Sequence, residues 1–84
     1  MNEVREIANL LHKAQSSEEI YGFLLEILTP SELITLSKRW RILRMLSQKH
    51  TQREIAARLN VSLCKITRGA KILKNLGSIT NKYL

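Results

Sequence analysis

The sequence predicts an all-α domain of about six short helices, and two observations carry that expectation. Ser or Thr stands three residues before Glu in "SSEE" (16–19), "TPSE" (29–32) and "TQRE" (51–54). At that spacing the two side chains reciprocally satisfy free backbone N–H groups at a helix start. Behind each start, apolar residues recur at three- and four-residue steps, the period of one helix face.

The elements follow in order. Val4, Ile7, Leu10, Leu11 and Ala14 form the stripe of a first helix, and Ile20, Phe23, Leu24, Ile27 and Leu28 that of a second. Pro30 occupies the first position of a third helix, over about 30–48, where its missing N–H is harmless. Leu33, Leu36, Trp40, Leu43 and Leu46 make its stripe, which places Trp40 in the core or as a lid on it. A fourth helix over 52–59 and a fifth over 63–75 are short, with Ser62 as N-cap of the fifth. Gly77 and Ser78 turn the chain into a last short helix, "SITNKYL" (78–84). The whole of 1–84 reads as one domain: dimerisation helices over 1–48, a helix-turn-helix over 51–75, and a C-terminal helix over 76–84.

Eighty-four residues bury only about 60% of the unfolded chain's surface, so the core alone gives marginal stability. A second copy is a common remedy. Charge is divided along the chain. Residues 1–37 carry Arg5 and Lys13 against six Glu, a net −4, whereas residues 38–84 carry twelve Lys or Arg against Glu54 alone, a net +11. A strongly basic half points to a polyanion partner. A membrane surface fits less well, because the cations lie on several short segments without a long Trp- or Phe-bearing amphipathic face.

Other chemistries find little support. Cys64 is the only cysteine, so neither an intrachain disulfide nor a Cys-based metal site is expected. It reads as a small apolar filler or a base contact. His12 and His50 have no ligand-spaced partner. The chain contains no Asp, no nucleophile with a base and orienting partner, and no Gly-rich phosphate loop, so no enzyme is expected. The N-terminus "MNEVREIANL" is unlike a signal peptide and no apolar run approaches a bilayer span, which leads to the expectation of a cytoplasmic protein.

Residues 52–72, "QREIAARLNVSLCKITRGAKI", have the form of a helix-turn-helix. Ile55, Ala56 and Leu59 face inward from its first helix, and a small Ala56 or Ala57 allows close approach of the second. Asn60 tolerates the left-handed conformation of a tight turn. Val61 plugs the turn and Ile66 faces back to the core. The second helix then presents Ser62, Leu63, Lys65, Thr67 and Arg68 at the end that enters a major groove. Lys65 and Arg68 suit guanine edges or phosphate, and Leu63 and Cys64 suit a thymine methyl. Arg39, beside Trp40 and Leu36, reads as either a surface arginine or a ligand or phosphate contact. Gly69, costing about 1 kcal/mol in a helix interior, reads either as a close helix contact or as a gap opened for a ligand. A helical protein-interaction module that never reads bases is the reading from another class.

"LTPSELITLSKRWRILRML" followed by "TQREIAARLNVSLCKITRGAKILK" resembles the tryptophan repressor family. The resemblance covers roughly residues 4–76, and "ITRG" together with "LTP.E" and "R.RI" (39–42) is its most specific part. It implies an intertwined homodimer whose two reading heads meet successive major grooves of a palindromic operator. It also implies L-tryptophan as corepressor, an amino-acid ligand that favours one DNA-competent geometry. Arg39 and Arg68 would stack on the indole, with Arg68 also pairing with the carboxylate. Gly69 would admit the ligand, and Glu26, Leu28 and Thr29 of the partner subunit would line its amino-group end. Gln52 and Arg53 would contact phosphate or bases. Leu63, Cys64, Lys65, Thr67 and Arg68 would face the major groove, with Lys38 and Lys74 near the DNA backbone. Ile72 departs from the family by replacing a small or hydroxyl residue beside the ligand amino group. Lys65 replaces a hydroxyl residue, the turn "SQKHTQRE" is one residue short, and the last helix is abbreviated.

Overall fold

The computed structural model describes residues 2–84, and every regular element among them is helical. The order is α1 (Asn2–Lys13), α2 (Ser17–Ile27), α3 (Pro30–Ser47), α4 (Gln52–Leu59), α5 (Leu63–Lys74) and α6 (Ile79–Tyr83). No helix among the described residues is long and apolar enough to cross a membrane.

The helix starts follow their local chemistry. Thr29 Oγ1 accepts the Glu32 N–H at 3.2 Å, and the Glu32 carboxylate accepts the Thr29 N–H at 2.9 Å. Thr51 and Glu54 repeat the arrangement at 3.1 and 3.2 Å. At α2, Ser16 Oγ accepts the Glu19 N–H, but Glu19 reaches past it to the Gln15 N–H at 2.7 Å. Ser62 has the extended backbone of an N-cap yet makes no side-chain cap bond. Unlike Ser16, Thr29 and Thr51, it has no Glu three residues on. Ser78 caps α6 by accepting the Asn81 N–H at 3.2 Å.

These caps set an acid sensitivity. Backbone N–H donation from Thr29 holds the Glu32 carboxyl below its ordinary value of 4.5. The Thr51 N–H, helped by His50 and the Thr51 hydroxyl, does the same for Glu54. With the folded pKa below the unfolded one, the unfolded chain binds more protons as the pH falls. The stabilisation is therefore complete above about pH 4.5 and is lost as pH drops through the depressed values. Thermal melts between pH 6 and pH 3 should show a falling midpoint. Replacing Glu32 and Glu54 with Gln should reduce that fall, and an unchanged slope would remove the caps as its cause.

The chain divides into two compact units, Met1–Leu33 and Ile34–Leu84. The first contains α1, α2 and the opening of α3. None of its described residues is fully buried, and Val4, Ile7, Leu10, Tyr21, Leu25 and Ile27 are exposed. The second has a small core of Ile42 and Met45 from α3, Ile55 from α4 and Ile66 from α5, ringed by Leu46, Ala56, Leu59 and Val61. Two features of α3 correct the sequence expectation. Trp40 is 48% and Leu36 is 45% exposed, so neither belongs to the core. The helix carries apolar side chains on more than one face, and α4 and α5 pack on the face of Ile42 and Met45.

The α3–α4 connection also has a feature that its residue type conceals. Lys49 lies at φ 70°, its N–H bonds the Leu46 carbonyl at 3.0 Å, and the His50 N–H bonds the Met45 carbonyl at 3.1 Å. That is a left-handed helix terminus of the kind usually made with glycine. At the far end, the Asn81 amide donates to the carbonyls of Leu73 and Asn75 at 2.8 and 3.3 Å, tying α6 to the end of α5.

Candidate nucleic-acid interface and ligand cleft

Helices α4 and α5 pack together across the turn 60–62. Asn60 takes the left-handed conformation (φ 52°, ψ 51°) that closes α4, and half-buried Val61 packs on the core below the turn. Ile55 and Ile66, both wholly buried, clamp the two helices together. Their opposite faces are thereby held outward. Gln52 and Arg53 stand exposed at the start of α4, and Leu63, Cys64, Lys65, Thr67, Arg68 and Lys74 stand exposed along α5.

Two concave features flank α5. The first is an open hollow of about 360 Å³ lined by Leu63, Cys64, Thr67, Arg68 and Lys71. The second is a cleft of about 470 Å³ between α3 and α5, within the range of small-molecule sites. Its walls are Ile34, Thr35, Leu36, Ile42, Leu43 and Ile72, with Trp40 beside them, Gly69 at one side, and Lys38, Arg39, Lys65 and Arg68 as its charges. Neither lining contains a carboxylate. Glu54, the one acid in residues 38–84, is held in the α4 cap and lies 3.4 Å from His50 Nδ1. Both features therefore favour anions.

Arg68 lines both features. Arg39, Gly69 and Ile72 line the cleft, as do Lys38 and Lys65, which the resemblance assigned to DNA. Leu63, Cys64 and Thr67 line the hollow, while Gln52, Arg53 and Lys74 line neither. Glu26, Leu28 and Thr29 belong to the first unit, where Thr29 caps α3 and the Leu28 N–H bonds the Leu24 carbonyl at 3.1 Å. Lys71 joins the hollow although sequence reasoning did not single it out. Its place four residues after Thr67 and seven after Cys64 on one helix face is the signal that marks it. No sequence signal marked Trp40 as a cleft wall.

Gly69 is fully buried. A Cβ there would stand 3.0 Å from Ile42 Cγ2, 3.4 Å from Leu46 Cδ1 and 3.6 Å from Leu43 Cδ2. Close approach of α3 and α5 thus accounts for the glycine, which also borders the cleft. Gly69→Ala gains about 1 kcal/mol of helix propensity, but overpacking against a stiff, buried isoleucine costs about 1–3 kcal/mol. The net expectation is a loss of about 1 kcal/mol in denaturant unfolding. A variant more stable than wild type would refute tight packing here.

The Trp repressor protein family matches the chain across residues 2–84. A Trp operon repressor homolog of Xylella fastidiosa is 40% identical over 70 residues, covering 82% of this chain and 76% of the relative. Another, from Chlamydia caviae, is 33% identical over 76 residues, covering 89% and 75%. No solved structure matches the chain significantly. The chain, whose described residues form six helices and which is matched over nearly its full length, thus belongs to the Trp repressor family of transcriptional regulators.

Proposed function

We propose that this chain is a cytoplasmic, homodimeric repressor that binds a palindromic DNA operator through α4 and α5 and is activated by L-tryptophan. The carrying observation is Arg68, which lines both the cleft and the outward hollow of the same helix. A ligand held in the cleft would orient that guanidinium and the helix bearing it, so occupancy and DNA affinity would be linked through one element. The cleft suits a planar apolar ring with a carboxylate. Trp40, Leu36 and Leu43 offer apolar walls, and Arg39 and Arg68 offer cation–π and charge-assisted contacts.

Homodimerisation is supported by the apolar residues left exposed on α1 and α2 and by Leu36 on α3. In the dimer, Glu26, Leu28 and Thr29 of the other subunit would receive the ligand's ammonium, a group for which the cleft lining has no carboxylate. Gln52, Arg53 and Lys74 would hold DNA phosphates. A ligand-independent relative is the second reading, favoured by Ile72, which puts a branched apolar side chain in the cleft wall.

One measurement decides between them, and another tests the DNA binding that they share. Calorimetric titration with L-tryptophan should give saturable heat, and absence of heat at millimolar ligand would leave only the second reading. Duplex binding should weaken steeply with salt, by roughly 10³-fold or more from 50 to 200 mM if six or more phosphates are contacted. A chain that bound no duplex at low salt would not be a DNA-binding repressor.

A further inference from the structure

We infer that the outer face of α5 selects thymine through its methyl group, with Leu63 and Cys64 as the specifying residues. The inference rests on the DNA-binding reading above and adds what that face recognises.

In the major groove the four bases differ in their donors and acceptors, and thymine alone presents a methyl group. Leu63 opens α5 and is 59% exposed, and Cys64 beside it is exposed and free. Both line the hollow with Thr67, Arg68 and Lys71. The Thr67 hydroxyl donates to the Leu63 carbonyl at 2.9 Å, so its proton is engaged and its oxygen is left only to accept. No Asn, Gln, Asp or Glu lines the hollow, which removes the side chains that pair with adenine and cytosine edges most selectively. Lys65, the remaining cation at this end of the helix, lines the cleft instead.

An apolar helix start followed by two cations remains. Arg68 and Lys71 supply attraction to phosphate or guanine acceptors, and the +11 charge of residues 38–84 brings the face to a polyanion. Neither explains an exposed leucine at the leading position. Leu63 and Cys64 contribute to DNA affinity only if an apolar group meets them, and the methyl of thymine is the apolar group that the major groove offers.

The test uses the full chain. A preferred duplex is selected from a randomised pool, and each of its thymines is replaced in turn by deoxyuridine, which removes only the methyl. Loss of one methyl-sized contact should weaken binding about fourfold at one or two positions. Leu63→Ala should shrink that thymine–uracil difference at one position and leave any difference at a neighbouring position in place. Cys64→Ser should act likewise at a neighbouring position. Unchanged helical circular dichroism would verify that both variants fold, as expected for exposed positions. Selected sites without thymine, equal affinity for every uracil duplex, or a difference that survives both substitutions would overturn the methyl reading alone. No binding to any duplex at low salt would overturn the DNA-binding reading, and this inference with it.

Discussion

Ile66→Ala is expected to come close to unfolding the second unit. Ile66 is wholly buried, and the core it completes has only three other buried members, Ile42, Met45 and Ile55. Truncating a buried isoleucine costs about 2–5 kcal/mol through lost transfer energy and an unfilled cavity. A chain of this size is stable by roughly 4–13 kcal/mol in total, so the loss is a large fraction. The melting midpoint should fall by about 10 °C or more, and Ile66→Val should fall between that variant and wild type. The loss would reach function, because Ile66 anchors the inner face of the helix whose outer face carries Leu63, Thr67 and Arg68. Trp40, the only tryptophan, provides a fluorescence signal to set beside helical circular dichroism. An unchanged midpoint in Ile66→Ala would contradict the core described above.

Arg68→Ala is expected to weaken both ligand and DNA binding, whereas Arg39→Ala should weaken ligand binding alone. The distinction follows from position, since Arg68 lines the cleft and the hollow while Arg39 lines only the cleft. A hydrogen bond to a charged group contributes about 1.5–3 kcal/mol, so loss of the carboxylate contact should weaken ligand affinity about 10- to 150-fold. Loss of a base or phosphate contact should cost a further 1–3 kcal/mol or so in DNA affinity without ligand. Arg68→Lys keeps the charge but not the planar fork. It should restore most of the salt dependence and little of the ligand affinity. Calorimetry and duplex titration on the three variants check this together. If Arg68→Ala impaired only one of the two activities, the cleft and the reading face would not be coupled through this residue.

The helices and most of their caps were legible because capping is local chemistry. Thr29 with Glu32 and Thr51 with Glu54 lie within one turn of each other, and no distant residue is needed to form their bonds. The same holds for Asn60, whose left-handed geometry is tolerated by its own side chain. Ile55 and Ile66 were legible as inward residues because the short turn between their helices leaves few alternatives. Lys49 was not, since a left-handed helix terminus is expected at glycine and nothing in a lysine announces it. Ser62 looked like its fellow caps but makes no side-chain bond.

The faces of α3 and the place of Arg68 on both concave features were beyond reach of periodicity. α3 offers apolar side chains on more than one side, so spacing alone chose Leu36 and Trp40 while packing chose Ile42 and Met45. Which side is buried depends on where α4 and α5 dock, a relation between residues far apart in the chain. Gly69 illustrates the division. Its cost as a helix residue was visible in the sequence, but its reason became visible only when Ile42 was found 3.0 Å from where a Cβ would stand. The sequence alone thus decided the elements, their starts, the basic half and the family resemblance, all written in local spacing, composition and charge. The tertiary structure decided which apolar face is core, why residue 69 lacks a side chain, and that one arginine borders both concave features, because each of these depends on the meeting of two helices.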